Sequence, residues 1–181
     1  LTLFALDLNV MELTVMRRQP QQFVSDGIEV RQFWAVSSDG ERIPYFHVGK
    51  NAAPDTPTLV YAYGGFGVPE LPHYLGSIGK YWLEEGKAFV LANIRGGGEF
   101  GPRWHQAAQG ISKHKSVDDL IAVVRDLSER GMSSPQHIGL QGGSNGGLIT
   151  AAAFVREPQS IGALVCEVPL TDMIRYPLLS A

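Results

Sequence analysis

The segment Gly142-Gly143-Ser144-Asn145-Gly146-Gly147 contains the pattern Gly-x-Ser-x-Gly with additional glycines. An apolar run, residues 137–140, comes before it, and a run of helical character, residues 148–156, follows it. A strand, a tight turn and a helix in this order are the context of a nucleophile elbow, which holds a serine in a strained turn. Side chains beside that serine would collide with the strand and the helix, so the turn requires glycine at 142 and 146.

Ser144 is therefore the candidate nucleophile. A serine hydroxyl needs a base that takes its proton, a carboxylate that orients the base, and donors for the oxyanion. One expected donor is the backbone N–H of Asn145, and the second is expected from the loop Tyr63-Gly64-Gly65-Phe66-Gly67, through its backbone or its phenol. The alternative is a glycine-rich turn that only lets a helix pack closely on a strand. A phosphate loop is disfavoured, because neither Gly-Lys-Ser/Thr nor Gly-x-Gly-x-x-Gly is present here.

No histidine of the chain is expected to be the general base. In elbow folds the order along the chain is serine, acid, histidine, whereas all the histidines precede Ser144. They are His47, His73, His105, His114 and His137. Asp172 is the one well-placed candidate for the acid, but the simpler interpretation is a turn aspartate that caps residues 173–176. The base, and with it the acid, is expected to be missing from these residues.

Periodicity from residue 58 onwards predicts the fold class. Apolar strands alternate with amphipathic helices, which is typical of an α/β fold with a mostly parallel sheet between helices. Strands are predicted at 58–63, 88–93, 137–141 and 162–168, and helices at 75–85, 117–130 and 145–156. Ahead of them, two strands at 28–36 and 42–48 predict an antiparallel hairpin closed at Asp39-Gly40, whereas 1–8 predicts one strand and 9–20 a connection between two units.

Two local features carry charge. Ser116 is predicted to cap the second helix, with Asp119 three residues on as a favourable charge in its first turn. Three glycines in residues 93–101 predict a tight structural loop, in which Arg95 and Glu99 are close enough in sequence to form a pair.

Composition narrows the class of partner. The chain has 181 residues, of which 44% are hydrophobic and 18% charged, which is typical of one globular domain. A net charge of −3 offers no basic surface for nucleic acid, and the apolar runs are too short to cross a bilayer, so neither nucleic acid nor membrane is expected as a partner. Cys166 is predicted to pack as a small hydrophobe.

Both ends of the chain look like the interior of a structural element, so we expect a fragment of a longer protein.

Three motifs, in this order and spacing, are similar to those of the prolyl oligopeptidase family of serine peptidases. They are Tyr63-Gly-Gly-Phe, Asn93-Ile-Arg-Gly-Gly-Gly-Glu and Gly142-Gly-Ser-Asn-Gly-Gly. The resemblance implies an α/β-hydrolase domain that is capped by a β-propeller of the same chain. Residues 1–14 would then be the last propeller strand and its connection, and residues 15–181 the first part of a hydrolase domain that is incomplete at its C-terminus.

The resemblance also implies roles for site residues. Ser144 would be the nucleophile, the Asn145 N–H and the Tyr63 hydroxyl the oxyanion donors, and Phe66 an aromatic residue near the pocket for proline. The implied reaction is hydrolysis of short peptides after proline through an acyl-enzyme, with no cofactor and no metal. The family's catalytic aspartate and histidine would follow residue 181. Gly67 departs from the asparagine that prolyl enzymes commonly have, which makes peptidase activity a firmer expectation than proline preference.

Three alternatives to a prolyl enzyme stay open. A second peptidase of the superfamily, similar to oligopeptidase B or to acylaminoacyl peptidase, would use the same elbow, as would an esterase. A non-catalytic hydrolase-like binding domain would keep the glycines for packing alone. An aspartate and a histidine further along the parent chain would distinguish the enzymes from the binding domain.

Overall fold

A six-stranded sheet organises the chain in a computed structural model, which describes residues 2–178. The sheet has the order β3-β4-β6-β5-β7-β8. Its strands are β3 (Glu29–Val36), β4 (Arg42–Gly49), β5 (Thr58–Ala62), β6 (Ala88–Ala92), β7 (Ile138–Gly143) and β8 (Ala163–Glu167). The pairs β5–β6, β5–β7 and β7–β8 are parallel, whereas the hairpin β3–β4 joins the sheet antiparallel through β6. The predicted mostly parallel α/β sheet and its leading hairpin are confirmed.

Apolar side chains cover both faces of this sheet, which explains the continuous apolar runs of its central strands. Along β6, Val90 and Ala92 belong to the main core, which also contains the buried face of the helix after residue 113. Phe89 and Leu91 point the other way and pack with Leu83 in a second cluster. The sheet is therefore a middle layer, and the loops at its ends remain free to carry a site.

The helices follow the strands in alternation. They are α1 (Gly76–Ile78), α2 (Pro102–Gln106), α3 (His114–Glu129) and α4 (Asn145–Arg156). The predicted helix at 75–85 is only one α-helical turn, which continues as a π-helical stretch over Gly79–Leu83. A Cβ on Gly79 would lie only 2.3 Å from the ring of Phe23, so the ring packs directly on the glycine backbone. This close contact occurs where the helix departs from α-helical geometry.

Helix α3 begins earlier than predicted. A short 3₁₀ turn, Gly110–Lys113, leads into it, and Ser116 lies inside the helix rather than at its cap. The Ser116 hydroxyl donates instead to the backbone carbonyl of Arg95 at 2.7 Å. The capping prediction was wrong because a tertiary acceptor 21 residues away competes with the local one.

The first residues form a separate two-stranded sheet. β1 (Thr2–Asp7) pairs antiparallel with β2 (Glu12–Arg18), where the sequence predicted a connection over residues 9–20. Every residue of both strands is exposed, and β2 lacks the regular apolar alternation that predicted β1, because Val15 and Met16 are adjacent. The predicted domain boundary after residue 14 falls inside β2.

Candidate active site

Ser144 lies between β7 and α4 in a backbone conformation that L-residues rarely adopt. Its φ is 52° and its ψ is −116°. The Ser144 N–H donates to the carbonyl of Glu167 at 2.8 Å, and its own carbonyl accepts the N–H groups of Leu148 and Leu170, each at 3.2 Å. The strained turn is thus held by α4 on one side and by β8 and its following loop on the other.

Glycines on both sides make this turn sterically possible. A Cβ on Gly142 would lie 2.4 Å from the carbonyl oxygen of Gly146, and a Cβ on Gly146 would lie 2.4 Å from that of Ala62. Heavy atoms do not approach so closely without a shift of backbone. The predicted requirement for glycine at 142 and 146 is confirmed, together with the order of strand, turn and helix.

Asn145 connects the turn to the loop after β5. It is the first residue of α4, where a backbone N–H has no acceptor within the helix and is free for another group. The residue is 4% exposed, and its Nδ2 donates to the carbonyl of Tyr63 at 2.6 Å. The sequence predicted a role for its backbone only. A side chain that bridges two loops 82 residues apart has no signature in local sequence.

Tyr63 follows β5 directly, and β5 pairs in parallel with β7. Because the carboxyl ends of parallel strands meet at one edge of a sheet, Tyr63 and Ser144 belong to the same edge. A Cβ on Gly65 would lie 2.3 Å from Asn145 Nδ2, so this loop packs directly against the elbow. The structure thus brings the loop of Tyr63 to Ser144, as the sequence predicted.

The glycine-rich loop after β6 supports the Tyr63 loop. The N–H of Gly67 donates to the Gly96 carbonyl at 3.1 Å, and the N–H of Gly98 donates to the Val68 carbonyl at 3.2 Å. A Cβ on Gly98 would lie 2.1 Å from the Gly67 carbonyl oxygen. The predicted tight structural loop is therefore in close contact with the loop it supports.

The predicted pair of Arg95 with Glu99 was wrong. Arg95 is 3% exposed and binds Asp119 on α3, with Nη2 to Oδ1 at 2.6 Å and its backbone N–H to Oδ2 at 3.0 Å. Its Nη1 also binds Asp39 of the β3–β4 turn at 2.7 Å. Asp119 is thus a buried ion-pair partner rather than a charge at the helix start. Hydrogen bonding to Arg95 holds the pKa of Asp39 well below its usual range.

Glu99 braces the two loops instead. Its Oε1 accepts the N–H of Glu70 at 3.0 Å and Nδ2 of Asn93 at 3.3 Å, whereas its buried Oε2 has no partner among residues 2–178. Burial raises the pKa of Glu70, and the neighbouring Glu99 carboxylate raises it further.

A cavity of about 460 Å³ opens beside the elbow. Residues that matter for its chemistry are Phe66, His105, Lys113, Asn145, Leu148 and Tyr176. Phe66 has a φ of 55° and is 66% exposed, so its ring is available to a ligand in the cavity. His105 also lines this cavity, and its Nδ1 lies 2.8 Å from the Gly96 carbonyl oxygen.

None of the five histidines, all of which lie within residues 2–178, forms a hydrogen bond with Ser144. Asp172 accepts the backbone N–H of Arg175 at 3.1 Å, as expected of a turn aspartate. The side chain of Arg175 and this N–H hold the pKa of Asp172 below its usual value. The strained turn of Ser144 and the glycine-rich loop of Tyr63 therefore lie together, whereas no histidine within residues 2–178 forms a hydrogen bond with Ser144.

Other site types find little support. Across residues 2–178 no three His, Cys, Asp or Glu side chains are grouped so that they could hold a metal ion. The same part of the chain has no helix that combines the length and apolar character needed to span a membrane. The sequence predicts Cys166 as a small buried hydrophobe, whereas its thiol is half-buried and lies 3.6 Å from the Gly147 carbonyl oxygen.

Comparisons with known proteins agree with this geometry. Residues 75–180 match the model of the family described as "Prolyl oligopeptidase family". The chain is 42% identical over 183 residues to "Uncharacterized peptidase y4nA" of Sinorhizobium fredii, covering 99% of this chain and 25% of that protein. It is 34% identical over 160 residues to "Prolyl endopeptidase" of Elizabethkingia meningoseptica, covering 87% of this chain and 22% of that protein.

A solved structure, "Structure of a Post-proline cleaving enzyme from Rickettsia typhi", superposes with a TM-score of 0.92 at 41% identity. The superposition covers 99% of this chain and 26% of that one. The chain thus spans about a quarter of the length of the relatives that it matches.

Proposed function

The chain belongs to the prolyl oligopeptidase family, and from this premise we propose that its full-length protein is a serine peptidase that cleaves short peptides through an acyl-enzyme on Ser144. The observation that carries the proposal is the strained turn of Ser144, with φ of 52°, next to the free N–H of Asn145 and the loop of Tyr63. A turn that served packing alone would have no need of a serine in a conformation that glycine adopts at lower cost.

The reaction follows from these positions. The Ser144 hydroxyl attacks the peptide carbonyl carbon and gives its proton to a histidine base, while the carbonyl oxygen becomes an oxyanion. The Asn145 N–H and the Tyr63 hydroxyl stabilise that oxyanion. The C–N bond then breaks, the amine leaves with the proton from the base, and water hydrolyses the ester on Ser144.

The base and its orienting acid come from parts of the protein after residue 181. In support, none of the histidines within residues 2–178 forms a hydrogen bond with Ser144, and the relatives are about four times longer than this chain. Asp172 is already engaged by Arg175.

The substrate is a peptide cleaved after proline. In support, the Rickettsia typhi relative is called a post-proline cleaving enzyme, and Phe66 presents an exposed ring to the cavity beside the elbow. Gly67 has a φ of 67°, a conformation that asparagine also tolerates, so the backbone at this position is compatible with either residue.

The β1–β2 hairpin is the part of this chain that belongs to a β-propeller. It forms a sheet of its own with every residue exposed, as expected of two strands whose neighbouring strands belong to another part of the protein. We place the division after β2 rather than after residue 14, since a division there would cut a strand. The hydrolase domain then begins before β3 and continues past residue 181.

The test uses the full-length protein. It should react stoichiometrically with a fluorophosphonate probe, and Ser144→Ala should abolish both labelling and peptide hydrolysis. Ser38→Ala, which removes a hydroxyl from an exposed turn, should change neither. Tyr63→Phe should lower turnover by roughly 10- to 1,000-fold, the scale of one lost oxyanion donor.

The outcomes separate the alternatives. No labelling of the folded protein would favour a non-catalytic binding domain. Hydrolysis of arginyl amides in preference to prolyl amides would indicate an enzyme similar to oligopeptidase B, and hydrolysis of simple esters alone an esterase. Unchanged turnover in Tyr63→Phe would remove the phenol from the mechanism.

A further inference from the structure

Lys113 reaches from the turn before α3 to the loop of Tyr63. It is the last residue of the 3₁₀ turn Gly110–Lys113, and its Nζ donates to the carbonyl of Gly64 at 2.9 Å. Gly64 follows Tyr63 directly and has a φ of 55°. The ammonium group therefore binds the peptide unit that sets the direction of the chain just after the tyrosine.

The surroundings of this ammonium group are unusual for a lysine. Its side chain is half-buried, and among residues 2–178 no carboxylate lies within 4.0 Å of its Nζ. Burial lowers the pKa of Lys113. Lys115, two residues on, pairs instead with Asp39 at 3.2 Å. Partial burial of an ammonium group that hydrogen-bonds to a single backbone carbonyl costs folding free energy, because the group loses water of hydration. The presence of Lys113 here therefore points to a role for that carbonyl.

Side chains hold two successive carbonyls of this loop. Asn145 Nδ2 binds the Tyr63 carbonyl at 2.6 Å from the side of the elbow, and Lys113 binds the Gly64 carbonyl from the side of α3. Further along the loop, the Gly67 N–H donates to the Gly96 carbonyl, and the Glu99 side chain accepts the Glu70 N–H. Since Cα of Gly64 lacks a side chain that would restrict its torsions, this peptide unit depends on external contacts for its orientation.

We propose that Lys113 is a positioning residue for the oxyanion site: by holding the Gly64 carbonyl it keeps Tyr63 where its hydroxyl meets the developing oxyanion. This inference rests on the proposed function, in which Tyr63 is an oxyanion donor. Donors of this kind act because they are already oriented before the reaction, and displacement by a fraction of an ångström weakens them. Lys113 touches neither substrate nor reacting atoms in this role.

The test compares variants in the full-length enzyme. Lys113→Met keeps the length of the side chain and removes the donor, and Lys113→Arg keeps a donor. We expect kcat of Lys113→Met to fall about 10-fold, by less than the loss in Tyr63→Phe, with KM changed by less than about 2-fold. Lys113→Arg should recover part of kcat. Lys115→Met, which removes the same charge nearby, should leave kcat within about 2-fold of the wild type.

A double-mutant cycle separates positioning from general destabilisation. If Lys113 acts through Tyr63, Lys113→Met should change kcat by less than about 2-fold in a Tyr63→Phe background. An equal loss in both backgrounds would overturn the proposal. So would an increase in KM at constant kcat, because Lys113 also borders the cavity and would then be a substrate ligand. Urea unfolding of each variant shows which kcat values come from folded enzyme.

Failure of this inference is distinguishable from failure of the proposed function. A wild-type protein that does not react with fluorophosphonate contradicts the peptidase itself. A wild type that reacts and turns over substrate, together with a Lys113→Met variant of unchanged kcat, contradicts only the role of Lys113.

Discussion

At the scale of single residues, Ser144 is held in place by contacts that leave its hydroxyl unconstrained. Three backbone hydrogen bonds fix its peptide units, to Leu148 on α4 and to Glu167 and Leu170 on the β8 side. The glycines around it let β7, α4 and β5 approach so closely that no side chain fits between them. The energetic cost of a positive φ at a serine, of order 1–3 kcal/mol, is offset by this packing.

Gly146→Ala tests that packing. The new Cβ would lie 2.4 Å from the Ala62 carbonyl oxygen, so α4 must move away from β5. We expect unfolding free energy to fall by about 1–3 kcal/mol and fluorophosphonate labelling to slow. The control is Gly139→Ala in β7, where the nearest atom to the new Cβ is 3.7 Å away and the free energy should change by less than about 1 kcal/mol. Equal effects of the two variants in urea unfolding would contradict this account.

His47 makes stability depend on pH. It is 4% exposed on β4, and its Nε2 has no hydrogen-bond partner among residues 2–178. Burial lowers the pKa of His47, and the charge of Arg31 lowers it further. The unfolded state therefore binds more protons below about pH 6.5, and stability is lost as pH falls from there toward the folded pKa.

The measurement is urea unfolding at pH 7.5 and at pH 5.5. Wild-type protein should lose stability between these values, and His47→Phe, which cannot be protonated, should lose less. His114→Phe serves as the control, because His114 is exposed and should leave the pH dependence unchanged. If His47→Phe loses as much stability between the two pH values as the wild type does, groups other than His47 cause the pH dependence.

At the scale of elements, one buried ion pair ties α3 to the loop after β6. Asp119 is fully buried and Arg95 nearly so, and Ser116 on the same helix binds the Arg95 carbonyl. The loop that Arg95 begins supports in turn the loop of Tyr63. Side chains of α3 are thereby connected, through the loop after β6, to the loop of Tyr63 beside Ser144.

Asp119→Asn leaves the Arg95 guanidinium buried with only Asp39 to balance it. Removal of one partner of a buried ion pair typically costs about 3–5 kcal/mol, and this substitution should fall at the lower end because the amide oxygen still accepts. Asp118→Asn is the matched control, since Asp118 pairs with Arg156, which is 49% exposed, and should cost less than about 1 kcal/mol. Similar urea midpoints for the two variants would show that the buried pair contributes little.

At the scale of the whole molecule, β8 is the edge of the sheet within residues 2–178. It pairs with β7 on one side, and Val165 is 47% exposed and Val168 81% exposed. An unpaired apolar strand is a template for association with another chain. Residues 1–181 produced alone should therefore self-associate with increasing concentration, as measured by size-exclusion chromatography with light scattering.

Val165→Lys should reduce this association, because a charge on an edge strand opposes pairing. Val155→Lys provides the comparison, since Val155 is 77% exposed but lies on α4, away from the strand edge. Equal reduction by both variants would assign the association to exposed apolar surface in general rather than to the edge of β8.

The local sequence pattern was enough to predict much of the fold. The elbow at Ser144, the alternation of strands and helices and the hairpin were all predictable, because steric demands on glycine and the periods of buried side chains act over a few residues. Strand β2 was missed because its apolar residues do not alternate with polar ones: Val15 and Met16 are adjacent, and two arginines follow.

Contacts between distant segments were decided by the fold. The pairing of Arg95 with Asp119, the bridge from Asn145 to Tyr63 and the reach of Lys113 to Gly64 join residues 24, 82 and 49 positions apart. A charged or amide side chain can form hydrogen bonds with many kinds of partner. Which partner it meets depends on the loops that the parallel strands bring to one edge of the sheet. The turn of Ser144 was therefore predictable from the order of residues, whereas the contacts that hold the loop of Tyr63 against it depend on the folded structure, because they join segments that are far apart in the sequence.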